Sequence, residues 1–194
     1  MNRFLTTCFF TCVLFTSFQG WGQDGYSKKK VNVLPTTRLF INGEANVKKF
    51  SCVFNAHYLD KEREVMYVLE NNSIRFKNAV LSLANEGFDC GHSAINKDFH
   101  KLLQTKEHPR ILIELQKITL LEDKKGRVEV IVSIAGKKKK YTIPIDIIAS
   151  PVDRYVGQLH LNIRDFNLDP PTKMFGLIVI KDEVEITFDL LARF

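Results

Sequence analysis

Histidine is the side chain of this 194-residue chain with the widest catalytic and metal-binding chemistry, and its spacing here fits neither use. The histidines form no HExxH motif, and no two of them stand four residues apart on one helix, as paired zinc ligands do. We expect the one candidate pair, His92 and His100, to act as capping or surface residues. With no GxSxG, phosphate-binding or dinucleotide-binding motif present, we expect no catalytic residue, no metal site and no cofactor. The five histidines are His57, His92, His100, His108 and His160.

The four cysteines divide into two near the N-terminus and two in the body of the chain. Residues 1–22 combine Arg3 with an apolar run over residues 4–18, which predicts a secretory signal peptide cleaved near Gln23. The run is too short and too rich in threonine for a membrane span, which needs roughly 20 predominantly apolar residues. We therefore expect a periplasmic or secreted protein.

Cys52 and Cys90 are the two cysteines that remain after cleavage. In an oxidising compartment an even pair of cysteines is expected to be bridged, and the alternative is two buried thiols that behave as small apolar side chains. A bridge would close a loop of nearly 40 residues, and the chain-entropy model gives such a loop a stabilisation of roughly 3–4 kcal/mol.

Composition and charge indicate one globular domain over residues 23–194. No segment rich in Gly, Ser and Pro divides this part of the chain. Removing Arg3 leaves 27 basic against 22 acidic side chains, a modest excess that ordinary solubility explains. The basic residues are scattered and do not alternate with exposed aromatic residues, so we expect no nucleic-acid binding. The densest basic run, residues 137–140, predicts a solvated hairpin tip, with contact to lipid headgroups as the alternative.

Alternation of apolar and polar residues is the dominant pattern in this domain. It predicts roughly eight to ten strands with short connections, and it leaves the chain around residue 31 as a lead-in without strand character. Pro144 cannot donate to a strand ladder, so its strand is expected to be an edge or to be bulged there. The predicted strands cover residues 37–42, 50–58, 65–69, 73–76, 110–121, 128–134, 141–147, 155–163, 176–180 and 184–192.

A single helix is predicted between two of these strands, over residues 94–104. Ser93 is its expected N-cap, and His108-Pro109 is the expected stop because the residue before proline is pushed out of the α region. The apolar residues that fall on one face of the helix are Ile95, Phe99, Leu102 and Leu103.

Many strands and one helix favour an antiparallel barrel, because closure removes exposed sheet edges, and a sandwich is the alternative. A barrel of about eight strands can be filled by its own side chains or can hold one ligand. The chain contains fifteen phenylalanines, several of them on inward rows. They predict either a solid core or a pocket suited to a long apolar molecule.

Three segments resemble the YceI-like family of exported bacterial proteins. They read NGEANVKKFSCVF, FDCGHSAINKDFHKLLQTKEHPRILIEL and DFNLDPPTKMFGLIVIKDEVEITFDLLARF. The resemblance implies a lipocalin-like, extended antiparallel barrel that takes a polyisoprenoid or related amphiphilic lipid along its axis. Two positions depart from the family pattern: Ile113 stands where many members have phenylalanine, and the hairpin at Ala135-Gly136 lacks the usual threonine.

The leading hypothesis is therefore a non-catalytic protein that carries or stores such a lipid in the periplasm, with the helix closing or edging the barrel mouth. We expect a monomer or homodimer with transient contact to a membrane surface. The second hypothesis is a filled barrel that acts as an interaction module of the envelope through the basic hairpin or the Pro170-Pro171 loop. An enzyme that uses the histidines is the third. The residues predicted to line the cavity are Phe50, Phe54, Phe76, Phe99, Leu103, Ile111, Ile113, Tyr155, Leu159 and Phe188.

Overall fold

The computed structural model describes residues 25–59, 62–149, 152–173 and 178–193. The predicted signal peptide lies outside these residues. Short 3-10 helices cover Ala56–Tyr58, Asn85–Gly87 and Ile163–Phe166, and the α-helix α1 covers Ser93–Leu102. The strands are β1 (Ser27–Val33), β2 (Arg38–Glu44), β3 (Lys49–Phe54), β4 (Glu62–Glu70), β5 (Ser73–Ala84), β6 (Phe88–Asp89), β7 (Arg110–Leu120), β8 (Lys125–Ile134), β9 (Lys137–Ile148), β10 (Asp153–Asn162), β11 (Thr172–Lys173), β12 (Ile178–Val179) and β13 (Glu183–Arg193).

Eight of these strands form a closed antiparallel barrel. Their order around the ring is β1, β4, β5, β7, β8, β9, β10 and β13, and β1 pairs with both β4 and β13 to close it. The predicted antiparallel barrel is confirmed, and the sandwich alternative is wrong. Closure leaves the eight wall strands without a free sheet edge along most of their length.

The closing strand β1 is the one wall strand that the sequence did not predict. Its sequence, SKKKVNV, contains only two apolar residues, Val31 and Val33. Its lysines instead pair with the acidic start of β4: Lys28 Nζ lies 3.0 Å from Glu64 Oε1, and Lys30 Nζ lies 2.9 Å from Glu62 Oε1. Both pairs are exposed, so they contribute little to stability and act mainly by setting the register.

A second sheet segment leaves the barrel wall at β13 and carries the disulfide. The middle of β13 pairs with β2, which pairs with β3, and β3 pairs with the two-residue strand β6. Because Val53 lies opposite Asp89 in this pairing, Cys52 and Cys90 face each other one position further along. The predicted bridge between them is confirmed, and their Cα atoms are 3.9 Å apart.

Two predicted strands end at the wrong residue. The predicted strand 73–76 continues to Ala84 as β5, and the register of β5 against β7 shifts between Arg75 and Ala79 at a bulge where Asn78 has a positive φ of 62°. The segment 50–58 is a strand only as far as Phe54. There the side chain of Asn55 accepts a hydrogen bond from the His57 amide and begins a 3-10 turn.

The helix also begins and ends differently from the prediction. Its N-cap is His92, whose Nδ1 accepts a hydrogen bond from the Ala94 amide at 3.2 Å, and Ser93 is the first helical residue. It ends at Leu102 because Gln104 adopts a left-handed conformation and the Thr105 amide bonds back to the His100 carbonyl. This C-terminal motif closes the helix before His108-Pro109 is reached.

Pro144 marks the end of the ladder between β9 and β10. That ladder runs from Ile148 and Arg154 to Ile145 and Gly157, and it stops there. The expectation of an edge at Pro144 is confirmed, because the earlier part of β9 pairs with β8 alone. The 3-10 helix Ile163–Phe166 covers this gap, and Phe166 stacks on Tyr141 with ring centroids 6.5 Å apart.

The lysine run 137–140 lies in β9 itself, directly after the two-residue turn at Ala135 and Gly136. All four lysines are exposed. The predicted loop around Pro170 contains two of the most deeply buried side chains of the described residues, Phe166 and Leu168. That loop is therefore part of the core.

Candidate functional site

Two apolar cavities lie inside the molecule. The first, which we call the barrel cavity, has a volume of about 230 Å³ and is lined by the barrel strands together with β2 and Leu59. Its lining residues are Val31, Val33, Thr37, Leu39, Leu59, Arg63, Val65, Phe76, Ala79, Val80, Leu81, Ser82, Ile113, Leu115, Ile118, Val128, Val130, Ile143, Ile145, Tyr155, Leu159, Ile186, Phe188, Leu190 and Ala192.

The second, which we call the helix cavity, has a volume of about 250 Å³ and lies beneath α1. The helix contributes its apolar face to the lining, and Lys48 and Asp98 are the charged lining residues. The complete lining consists of Ile41, Ala45, Val47, Lys48, Phe50, Ile95, Asp98, Phe99, Leu102, Leu103, Ile111, Ile134, Leu161, Ile163, Leu168, Pro171, Ile180, Val184 and Ile186.

The two cavities lie end to end along the strands. On β10, Leu159 lines the barrel cavity and the next inward residue, Leu161, lines the helix cavity. On β7, Ile113 lines the barrel cavity and Ile111 lines the helix cavity. Ile186 lines both cavities. A single row of side chains therefore separates the cavities.

That row crosses three neighbouring strands at the same level. Ile186 on β13 lies directly opposite Leu159 on β10 and Ile41 on β2. All three side chains are buried. Each cavity alone is smaller than the roughly 300–1,000 Å³ typical of ligand sites, whereas the two together fall within that range.

Two polar side chains of the barrel cavity are hydrogen-bonded within the protein. Thr37 Oγ1 accepts a hydrogen bond from the Leu191 amide at 3.1 Å, and Ser82 Oγ accepts one from Arg110 at 3.0 Å. Arg63 also has an interaction partner. The interior therefore presents a surface that is suited to hydrocarbon and offers few groups for orienting a polar ligand.

Tyr155 is the lining residue whose protonation is most strongly affected by its position. Burial, with a smaller effect of the nearby Asp153 carboxylate, raises the pKa of Tyr155 to about 12. Because the neutral phenol is favoured in the folded state, the barrel cavity gains no charge from this residue at physiological pH.

This shift predicts an alkaline loss of stability. The unfolded phenol has a pKa of about 10, so the stabilisation is fully present below pH 10 and is lost as the pH rises towards 12. We expect the free energy of unfolding to fall more steeply over this interval in the wild type than in Tyr155→Phe. Urea titrations of both proteins at several pH values measure the difference, and lysine titration cancels in the comparison. Parallel pH profiles would contradict it.

The structure distributes the predicted cavity residues over both cavities. Phe54 is the exception, because it lines neither and packs against Phe88 with ring centroids 4.8 Å apart. Phe88 in turn contacts Phe99 at 5.4 Å. The barrel cavity contains Phe76, Ile113, Tyr155, Leu159 and Phe188, and the helix cavity contains Phe50, Phe99, Leu103 and Ile111.

Several lining residues were missed by the sequence patterns. Val31 and Val33 belong to the unpredicted strand β1, and Leu168 and Pro171 belong to a segment predicted to be a loop. Charge complementarity between the lysines of β1 and the acidic residues of β4 was the one available signal for the first pair. The apolar residues within residues 163–168 were the available signal that this loop packs into the core.

The histidines of the central segment have separate structural contacts. His92 caps α1, and His100 Nε2 lies 3.2 Å from the Asn85 carbonyl oxygen. The His108 ring lies against Gly136, where an added Cβ would come within 3.0 Å of it. Within the described ranges, no three His, Cys, Asp or Glu residues are grouped closely enough to hold a metal ion. In the same part of the chain, no helix has the length and apolar character needed to cross a bilayer.

Comparisons with known proteins give one family and several similar structures. The family model of the YceI-like domain matches residues 37–192. Burkholderia cenocepacia BcnA is 17% identical, with a TM-score of 0.62, and the match covers 81% of this chain and 96% of BcnA. A polyisoprenoid binding domain from Saccharophagus degradans, implicated in plant cell wall breakdown, is 12% identical, with a TM-score of 0.56 and coverage of 84% and 97%. No curated protein matches the chain.

A Campylobacter jejuni YCEI protein is also similar, at 13% identity and a TM-score of 0.51, over 66% of this chain and 78% of that protein. At these identities the structural matches establish the fold alone. The family match covers most of the chain and includes the barrel strands from β4 onward, the helix and the linings of both cavities apart from Val31 and Val33. The chain therefore belongs to the YceI-like family.

Proposed function

We propose that this protein is an exported, non-catalytic lipid-binding protein that holds a polyisoprenoid or similar long-chain amphiphile inside its barrel, for carriage or storage in the periplasm. The observation that supports this most directly is the pair of apolar cavities arranged end to end. A long, narrow and almost wholly apolar interior suits a flexible hydrocarbon chain better than a compact polar metabolite.

The residues proposed to contact the ligand are those predicted from the sequence other than Phe54, which packs on Phe88 and through it supports Phe99. The name of the Saccharophagus degradans neighbour supports a polyisoprenoid as the class of ligand. Membership of the YceI-like family supports the same assignment.

Export is the second part of the proposal. Residues 1–22 act as a signal peptide, and residues 23–194 form the mature domain. The disulfide between Cys52 and Cys90 supports an oxidising compartment, because disulfides persist outside the cytosol and are rare within it. N-terminal sequencing of the protein recovered from a periplasmic fraction tests this part, and a mature protein that begins at Met1 would contradict it.

Organic extraction of the purified, exported protein tests ligand binding. Mass spectrometry of the extract is expected to show a prenyl lipid in roughly stoichiometric amount. Delipidated protein is expected to take up a fluorescent prenol that lysozyme, as an unrelated control, does not retain. A protein that is empty on purification and takes up no prenol would favour the filled-barrel interaction module instead.

A further inference from the structure

Four exposed apolar side chains are carried by segments that meet at the end of the barrel opposite α1. Their exposed fractions are 68% for Leu69, 41% for Leu120, 42% for Leu121 and 43% for Ile148. Single exposed apolar residues are ordinary on protein surfaces, but a contiguous group marks an interaction site. We call these four residues the leucine rim.

Backbone hydrogen bonds join the segments that carry the rim. The Leu120 amide donates to the Asn72 carbonyl in the turn between β4 and β5 at 2.7 Å. The Ile147 amide donates to the Lys124 carbonyl in the turn between β7 and β8, also at 2.7 Å. The three segments are therefore fixed to one another at one end of the barrel.

An apolar row connects the rim to the barrel cavity. Ile118 lines the cavity and lies opposite Ile74 on β5. Ile74 in turn lies opposite Leu69 on β4. Exposure rises along this row from the buried Ile118 through the half-buried Ile74 to Leu69 at the surface. A hydrocarbon chain that follows the row would remain in contact with apolar side chains from the surface to the interior.

Two cations beside the rim are already neutralised by the protein itself. Arg75 Nη2 lies 2.8 Å from Glu70 Oε1, and Lys125 Nζ lies 2.9 Å from Asp146 Oδ1. Lys124 follows Glu122 and Asp123 directly in the sequence. The surroundings of the rim therefore give no strong preference for an anionic or a cationic partner, and the apolar side chains determine what it contacts.

We propose that the leucine rim docks on the surface of a lipid bilayer and admits a lipid chain from that bilayer into the barrel cavity. A bilayer is the occupant that satisfies an apolar, charge-balanced rim continuous with an apolar cavity, because it supplies hydrocarbon and is also where long-chain lipids reside. The docking is inferred from the rim alone, whereas the admission of lipid rests on the proposed function.

Flotation with lipid vesicles tests the docking. Wild-type protein is expected to float with phosphatidylcholine vesicles and to do so equally at low and high salt. The double variant Leu69→Ser with Leu121→Ser is expected to lower the vesicle-bound fraction at least about tenfold, since each buried leucine contributes more than the free energy of one tenfold step. The matched control is Val53→Ser with Leu112→Ser, two exposed apolar residues on the outer sheet faces away from the rim, and it should float like the wild type.

Three results would overturn the docking proposal: no flotation of the wild type, flotation that requires anionic lipid and disappears in high salt, or equal flotation of the rim variant. Sedimentation velocity adds a separate readout, because a wild-type dimer that the rim variant abolishes, without vesicle binding, would show that the rim joins two copies of the chain.

Transfer of a fluorescent prenol separates this proposal from the proposed function. If both are right, the rim variant takes up prenol from ethanol solution like the wild type but acquires it from vesicles at least several-fold more slowly. If the cavity binds no lipid, uptake fails from both sources while flotation persists, and only the admission step is overturned.

Discussion

Removal of the disulfide by the double substitution Cys52→Ala and Cys90→Ala is expected to lower the free energy of unfolding by roughly 3–4 kcal/mol. The bridge spans a sequence separation of 38 residues, and its loss releases the entropy of that loop in the unfolded chain. Alanine is the appropriate replacement because both positions are buried and a serine hydroxyl there would add a desolvation cost. Equilibrium unfolding in urea measures the loss.

Reduction provides the control for this prediction. The wild type treated with a thiol reductant should lose a similar amount of stability, and the double variant should be insensitive to the reductant. A variant within about 1 kcal/mol of the wild type would show that the bridge adds little beyond the strand pairing around it.

The same variant is expected to loosen the cover of the helix cavity. The bridge ties β6 to β3, and Phe88 on β6 packs between Phe54 and Phe99, which belongs to α1. Amide hydrogen exchange in α1 should therefore become faster in the variant, while exchange in β4, which contributes no residue to the lining of the helix cavity, should change only with global stability. Equal acceleration in both elements would indicate that the bridge has no local effect on the helix.

The sequence predicted the barrel because, in most wall strands, the alternation of apolar and polar residues indicates which side chains face inward. Val130, Val132 and Ile134 alternate with polar or half-buried neighbours, and a period of two is enough to place them inward. The strand β1 has no such alternation. Its position depends on pairing with β4 across a separation that no local pattern reveals.

The helix shows the same distinction between local and nonlocal information. Its apolar face was predictable because Ile95 and Phe99 recur at helical spacing, and both line the helix cavity. Its end was mispredicted because the residue that adopts the left-handed conformation is Gln104. Glycine is the usual signal at such a position, so the visible helix breaker, Pro109, was taken as the stop.

The division of the interior into two cavities was beyond the reach of the sequence. Leu159, Ile186 and Ile41 form the separating row, yet they are the same residue types as the side chains that line the open space. Which apolar side chains fill the centre of a barrel depends on strand tilt and register together, and neither follows from periodicity. The composition predicted an apolar interior without showing how it is divided.

Replacement of Ile186 by alanine is expected to join the two cavities and to strengthen the binding of long prenyl chains selectively. Ile186 lines both cavities, so an extended chain can occupy both in the wild type only when this side chain moves aside. Isoleucine is restricted at χ1, which makes that movement costly. We expect octaprenol to gain at least several-fold in affinity, whereas farnesol, which is short enough for one cavity, should change little.

Ile143→Ala is the matched control for the role of Ile186 as the partition. Ile143 is the same residue, equally buried, and it lines the barrel cavity alone. Both substitutions should lower stability by about 2–5 kcal/mol, the usual cost of truncating a buried isoleucine, so a difference between them cannot arise from weakened folding. Each variant is titrated with octaprenol and with farnesol, and binding is monitored through the quenching of a fluorescent prenol. These titrations measure the two affinities. If Ile143→Ala raised the preference for octaprenol as much as Ile186→Ala, added volume anywhere in the barrel would account for the effect, and the row through Ile186 would not be the partition.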